Sequence, residues 1–348
     1  MSTSTRSTST AYPRARHLFA FALACVVVLL IAAGALVKSK DAGLSVPDWP
    51  LSYGTLNPPR WWLIETVRAE HGHRLFAGSV ALATVALAFW TWRAERRRNV
   101  RRLGWFAVAA VFAQALLGGL TVLLFLPPAV SIAHAALAEI YLCLITALAV
   151  VTSRSWLGEG TPTTEPSFPA IESVRKLALA TSLTIFGQVL IGAFVRHLGA
   201  GLAIPDFPLV FGGLWPRRFD LPITIHYTHR LGAVLVTTLI AILTVKIFRG
   251  RGLDDLKRPI GAMAFLVACQ IGLGGWLVLS GRAVVPNTVH VATGAAIFAL
   301  SLVVTLQSFR LARRAENSRV SRREALSAHA AHSVSAGEDD FANSEALS

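Results

Sequence analysis

Sulfur is scarce in this sequence: three cysteines and two methionines occur among 348 residues. Cys25, Cys143 and Cys269 fall on three different apolar runs, and none belongs to a CxxC pair. No disulfide framework follows, and all three read as small packing residues. Acid is scarce as well, with 19 Asp and Glu against 33 Lys and Arg, and charged residues of both signs make up only 15% of the chain. A soluble protein of this length would divide into domains with polar surfaces. Here 54% of the residues are hydrophobic and the mean hydropathy is +0.56.

What the chain has instead is a series of apolar runs of about 20 residues, long enough to cross a bilayer as helices. Eight occur, at roughly 17–37, 72–92, 104–126, 130–152, 176–196, 227–248, 259–280 and 287–309. The first is too long for a signal peptide and lacks the small-residue cleavage pattern, so it reads as a retained helix. Residues 1–16 are Ser/Thr-rich with three arginines and no acid. They resemble a weak mitochondrial presequence, but they are short and lead straight into the first run; a disordered bacterial N-terminus fits better.

The net charge of +14 invites a nucleic-acid reading, which its distribution excludes. Arg93, Arg96, Arg97, Arg98, Arg101 and Arg102 lie between runs two and three, and Lys246, Arg249, Arg251, Lys257 and Arg258 between six and seven. Arg310, Arg313, Arg314, Arg319, Arg322 and Arg323 follow run eight, and Arg6, Arg14 and Arg16 precede run one. With Arg154, Arg175 and Lys176, 23 of the 33 basic residues fall on one side of the membrane. The positive-inside rule makes that side cytoplasmic, with both termini inside.

The chain repeats itself. The stretch 43–54, GLSVPDWPLSYG, returns at 201–212 as GLAIPDFPLVFG, with seven of twelve positions identical. His73-Arg74-Leu75 returns as His229-Arg230-Leu231, and His134 as His290, both 156 residues on. Gln114 with Gly118-Gly119 returns as Gln270 with Gly274-Gly275. This is the signature of an internal duplication. Because each unit has four helices, both enter the membrane in the same direction, a parallel repeat. The fold class expected is therefore all-α integral membrane, with eight helices in two four-helix bundles. The expected divisions are a disordered N-terminus at 1–16, halves at 17–152 and 176–309, a cytoplasmic linker at 153–175 marked by Gly158, Pro162, Pro166 and Pro169, and a disordered cytoplasmic tail at 310–348.

Four histidines carry the chemistry. His73, His134, His229 and His290 each lie near the start of an even-numbered helix, so all four share one depth near the outer face. A histidine in the bilayer is costly unless its nitrogens have partners. Zinc usually recruits extra Cys, Asp or Glu, and copper adds Cys or Met; no Cys lies near these histidines, and the methionines are Met1 and Met263. Haem iron suits two imidazoles from two helices, with the macrocycle filling the bundle interior. The glycine pairs serve either a flat ligand or close helix packing. Arg74, Arg230, Lys38 and Arg196 are candidates either for haem propionates or for interfacial snorkelling. Glu70 shares a face with His73 and its counterpart is His226, an asymmetry that makes the first half a candidate reaction site and the second an electron store. Glu70 is otherwise an interfacial acid paired with Arg74 or Arg68. His71 and His226 have no assigned role.

Taken together, the duplicated eight-helix plan, Glu-x-x-His-Arg at 70–74, His134, His229-Arg230, His290 and the Gly-Leu-Ser-x-Pro-Asp-Trp-Pro loop at 43–50 resemble the haem A synthase family over residues 17–309. That resemblance implies oxidation of the C8 methyl of haem O to a formyl group by successive hydroxylation. It implies a haem b cofactor between His229 and His290, substrate haem between His73 and His134, and a need for Glu70 in turnover. Some bacterial members carry a cysteine pair in the outer loops; this sequence has none, so a loop thiol step is not expected. The partners expected are haem O supplied by a haem O synthase, a membrane electron donor or acceptor, the bilayer and further copies of the chain, in a bacterial plasma membrane. The rival readings are a dihaem cytochrome b-like electron carrier and a transporter built on duplicated bundles.

Overall fold

The computed structural model describes residues 14–158 and 166–345. The helices are α1 (Arg14–Ser39), α2 (Glu65–Ala94), α3 (Arg98–Leu123), α4 (Pro128–Val151), α5 (Arg154–Leu157), α6 (Phe168–His197), α7 (Leu221–Arg249), α8 (Asp254–Leu279) and α9 (Val284–Glu345). All but the single turn α5 are long and apolar enough to cross a membrane, as the eight apolar runs predict. The ends follow local chemistry. Pro128 opens α4, where its missing N–H is not needed. Asp220 caps α7 by accepting from the Ile223 N–H. Gly158, at φ 88°, closes α5 in a conformation that side chains resist.

In the first half α1, α2, α3 and α4 pack in a ring, and α6, α7, α8 and α9 form a second ring. Each has its own core. Leu23, Val27, Val80, Leu87, Val111, Leu142 and Ile145 lie in the first, and Ile171, Ile185, Ile240, Leu243, Ile260 and Val304 in the second. The halves meet where α1 packs on α9 and α4 packs on α6 and α9; Ala295 of α9 belongs to the first core. Arg196 spans this seam, donating from α6 to the Ala35 carbonyl and Ser39 Oγ of α1 and, at 3.2 Å, to Asn287 Oδ1 of α9.

Two expected divisions shift. Of the segment 1–16, Arg14–Arg16 are helical; residues 1–13 lie outside the described residues. Arg16 is buried and paired with Glu95 at 2.8 Å. The linker narrows, because α5 occupies 154–157 and α6 begins at Phe168, with Ile171 and Val174 already in the core; residues 159–165 are outside the described part. Over the stretch expected as a disordered tail, α9 continues to Glu345. Leu311, Ala312 and Ala315 are buried in the second core, and the Arg319 guanidinium lies 5.6 Å from the Phe168 ring centre. Polar composition hid an apolar i, i+4 pair, Leu311 and Ala315, on a stretch of good helix formers.

The two long loops between α1 and α2 and between α6 and α7 fold alike. Asp48 accepts from the N–H groups of Tyr53 and Gly54, each at 2.7 Å. Asp206 does the same for Phe211 and Gly212, at 2.9 and 2.8 Å. Gly54 and Gly212 take the positive φ, 74° and 78°, that closes each turn. Trp49–Pro50 and Phe207–Pro208 are both cis.

Candidate functional site

The four predicted histidines sit at matched places. His73 and His229 are the ninth residues of α2 and α7, and His134 and His290 the seventh of α4 and α9. Each imidazole lies against a glycine of the preceding long helix. A methyl group on Gly34, Gly118, Gly192 or Gly274 would come within 3.1, 3.1, 3.0 and 3.3 Å of the Cε1 of His73, His134, His229 and His290. The glycines are therefore notches for imidazole rings. Sequence reasoning found Gly118 and Gly274 but assigned them to helix packing or a flat ligand; it missed Gly34 and Gly192, which stand four residues before Lys38 and Arg196 in the repeat.

The neighbouring glycines do something else. Gly119 receives the Trp49 indole, and Gly275 receives the Phe207 ring, where a methyl group would lie 2.7 Å from the ring carbon. Each Pro-Asp-aromatic-Pro loop thus plugs its aromatic side chain beside a histidine notch.

The His229 and His290 rings are 6.4 Å apart between centres and inclined at 63°. His73 and His134 occupy the corresponding places on α2 and α4. The Nδ1 atoms of His73, His134 and His290 are buried without a hydrogen-bond partner. Buried orphan nitrogens at this depth need a ligand or another explanation. Among the described residues no three His, Cys, Asp or Glu side chains converge on one point; what the structure provides is imidazole pairs. Paired imidazoles in a glycine-notched bundle would fit a haem held between them.

Glutamines distinguish the four. Gln114 donates to the His134 carbonyl at 2.9 Å, and its Nε2 lies 3.3 Å from His134 Nε2. Gln270 donates to the His290 carbonyl at 3.0 Å. Gln188 donates to the His229 carbonyl at 2.7 Å and to His229 Nδ1 at 3.0 Å; its counterpart in α1 is Leu30, so this brace exists in the second half alone. Sequence reasoning missed Gln188 for that reason. It also missed Glu139, a buried acid on α4 whose Oε2 has no partner; an acid inside an apolar run was the available signal.

Glu70, Arg74 and Arg230 have tasks in the loops. Glu70 Oε2 accepts from the Val46 N–H at 2.9 Å, and Oε1 accepts from Arg74 at 2.7 Å. Arg74 also donates to the carbonyls of Asp48, Leu51 and Val46. In the second half His226 stands between the Ile204 N–H, 3.3 Å from Nδ1, and Arg230 Nε, 3.4 Å from Nε2, and its neutral ring accepts from one of the two. Arg230 donates to the carbonyls of Leu209, Ile204 and Asp206. Glu70 and His226 are thus equivalent clasps between helix and loop. The pairing of Glu70 with Arg74, one of the two sequence readings, is present. Most donors of both arginines are taken up by loop carbonyls, and Arg196 is committed to the seam. Lys38, 3.6 Å from Asp41, is the least engaged of the four cations considered for propionates. His71 is a loop anchor as well, bonded to Ser52 Oγ at 2.9 Å and edge-on to Trp61.

The loop carboxylates are tuned to stay charged. The Gly54 N–H, with that of Tyr53 and the Arg74 guanidinium, holds Asp48 below the usual carboxylate range. The Gly212 N–H, with Phe211 and Arg230, does so for Asp206.

The chain is similar to known proteins over most of its length. A family model described as cytochrome oxidase assembly protein, COX15-CtaA, matches residues 3–146 and, in a second overlapping match, 69–304. A "Heme A synthase" of Symbiobacterium thermophilum is 31% identical over 265 residues, covering 74% of this chain and 85% of the relative. One from Shouchella clausii is 32% identical over 64% of this chain and 74% of its own length. One from an Exiguobacterium species is 24% identical over 85% and 93%.

Proposed function

The chain belongs to the COX15-CtaA family of cytochrome oxidase assembly proteins, and on that premise we propose that it acts as a haem A synthase, a membrane-bound oxidoreductase converting haem O to haem A. The eight spans and the bacterial relatives make it a multi-pass bacterial membrane protein. The observation that carries the site assignment is the repeated unit of imidazole pair, glycine notch and aromatic plug, once in each half. The recurrence of the Asp48 and Asp206 turns, the clasps and the notches supports reading the two halves as a parallel duplication. The clustering of basic residues supports placing the histidine end outside and both termini in the cytoplasm.

In this reading His229 and His290 would hold a haem b cofactor and His73 and His134 the substrate haem, whose C8 methyl is oxidised to a formyl group by successive hydroxylation, with the electrons leaving through haem b to a membrane acceptor. The haem iron supplies one-electron and oxygen chemistry when bound; the chain supplies position and dryness. Gln188 braces the His229 ring, which suits a resident group. His134 Nε2 already has Gln114 beside it, which suits a ligand that exchanges. Glu70 closes the loop over the N-terminal pair and sets a carboxylate one helical turn from His73, where it can take up a proton. Lys38 is the cation left to meet a propionate. Haem O reaches the site from within the bilayer, supplied by the enzyme that makes it.

The equivalence of Glu70 and His226 as clasps favours a second reading, a dihaem electron carrier with no substrate. Haem extraction from protein purified out of cells that make haem O separates the two. Haem O or haem A alongside haem b is the expected result. Two equivalents of haem b and neither of the others supports the carrier and defeats the synthase.

A further inference from the structure

Between α1 and α2 lies an apolar groove of about 190 Å³, lined by Phe19, Ala22, Leu23, Val26, Phe76, Ser79, Val80 and Ala83. Leu23 and Val80 are its buried floor, and Ala22 and Ser79 are exposed on its rim. The groove continues the site. His73, Phe76, Val80 and Ala83 stand at i, i+3, i+7 and i+10, one stripe of α2. On the facing helix, Gly34 abuts His73, and Leu30, Val26 and Ala22 descend from it at intervals of four. A ring held at His73 therefore has this seam running away from it along the two helices.

The second half is built differently at the same positions. Ser79 and Ala83 correspond to Leu235 and Leu239, and Phe76 corresponds to Gly232, whose space is taken by Gln188. The α7 side of the second seam is bulkier at Leu235 and Leu239, while its α6 side is smaller, with Leu177, Thr181 and Thr184 for Phe19, Leu23 and Val26. The seams therefore differ in shape, and so do the proposed occupants: haem O carries a long isoprenoid tail, and haem b has none.

We propose that the α1/α2 groove receives the isoprenoid tail of haem O; this rests on the synthase reading above. Lipid chains are as apolar as the groove, so the tail gains little from leaving the bilayer and its affinity is not the point. What the groove fixes is direction. A tail lying in one seam sets the rotation of the macrocycle in its own plane, and with it the methyl group presented to the reacting face. Misplacement of about 1 Å at a reacting centre costs up to about 100-fold in rate, so orientation is where such a groove acts.

The test imports the second-half residues, Ser79→Leu with Ala83→Leu, into the full chain purified from cells supplying haem O. Haem b content per chain reports folding and is expected to equal wild type. Haem O is expected to stay bound while its conversion to haem A falls about tenfold, and tailless protohaem added to the purified protein binds the N-terminal pair as in wild type. Unchanged haem O content and conversion would overturn the proposal and leave the groove to a lipid chain. Equal loss of haem O and protohaem binding would also overturn it, since the ring site and not the tail would be affected. A wild-type protein that carries haem b and never haem O or A defeats the synthase reading instead.

Discussion

Gly34, Gly118, Gly192 and Gly274 each face an imidazole carbon at a distance that a methyl group would have to contest. Two effects oppose each other in a Gly→Ala change here. Alanine is the better helix former by about 1 kcal/mol, while the new Cβ pushes the imidazole by a few tenths of an ångström. Stability and ligand binding are thus expected to move apart. Gly192→Ala should leave the thermal midpoint of the solubilised protein equal or higher and lower its haem b content; Gly34→Ala should leave haem b in place and slow conversion of haem O. Absorption spectra with haem analysis check both, and equal effects of the two changes on haem b would contradict the assignment of halves. Glu70 permits a sharper substitution than removal. Glu70→His installs the clasp that His226 makes in the second half, so a residue needed only to hold the loop would tolerate it. The expected outcome is retained haem b and lost conversion; normal conversion would leave Glu70 a clasp and nothing more. The histidines and Glu70 were legible in the sequence because they recur in, or break, a repeat. Gln188 and Glu139 were passed over because neither stands in a repeated histidine motif, although an acid inside an apolar run marked Glu139.

At the scale of elements, the spans were readable from hydropathy, since apolar runs of this length have few alternatives in a bilayer. What hydropathy could not give was where polar side chains fasten one element to another. Arg16, counted as a cytoplasmic charge, is buried against Glu95 at the start of α3, where Arg97 joins it. Burial opposes ionisation of Glu95, but the hydrogen bonds from Arg97 and the pull of Arg97 and Arg16 outweigh it and lower its carboxyl from 4.5 to about 2. A lowered folded value means that this contribution is complete above the unfolded value of about 4.3 and is lost as pH falls toward about 2. The thermal midpoint should therefore drop over that window, and Glu95→Gln should flatten that part of the profile. A variant profile parallel to wild type would show that the Arg16–Glu95–Arg97 cluster does not hold α1 to α3. The last helix carries the same lesson, because a polar tail reads as disorder until Leu311 and Ala315 are seen to share a face.

In the whole molecule, two four-helix rings present the same notches, plugs and clasps at the same end, joined along a seam that Arg196 crosses. The duplication was legible because it preserves spacing, and it pointed to two imidazole pairs. The differences between halves were less legible, because they lie in which side chain fills a given space: Gln188 against Leu30, Leu235 and Leu239 against Ser79 and Ala83. On the proposed function, those differences would separate a resident haem from a haem that passes through. The measurement that tests this most directly is the haem content of His229→Ala and His73→Ala proteins, purified in parallel from cells supplying haem O. The account predicts that His229→Ala loses haem b, while His73→Ala keeps haem b and loses haem O and haem A. A His229→Ala protein with a full haem b complement, or a His73→Ala protein without haem b, would contradict it.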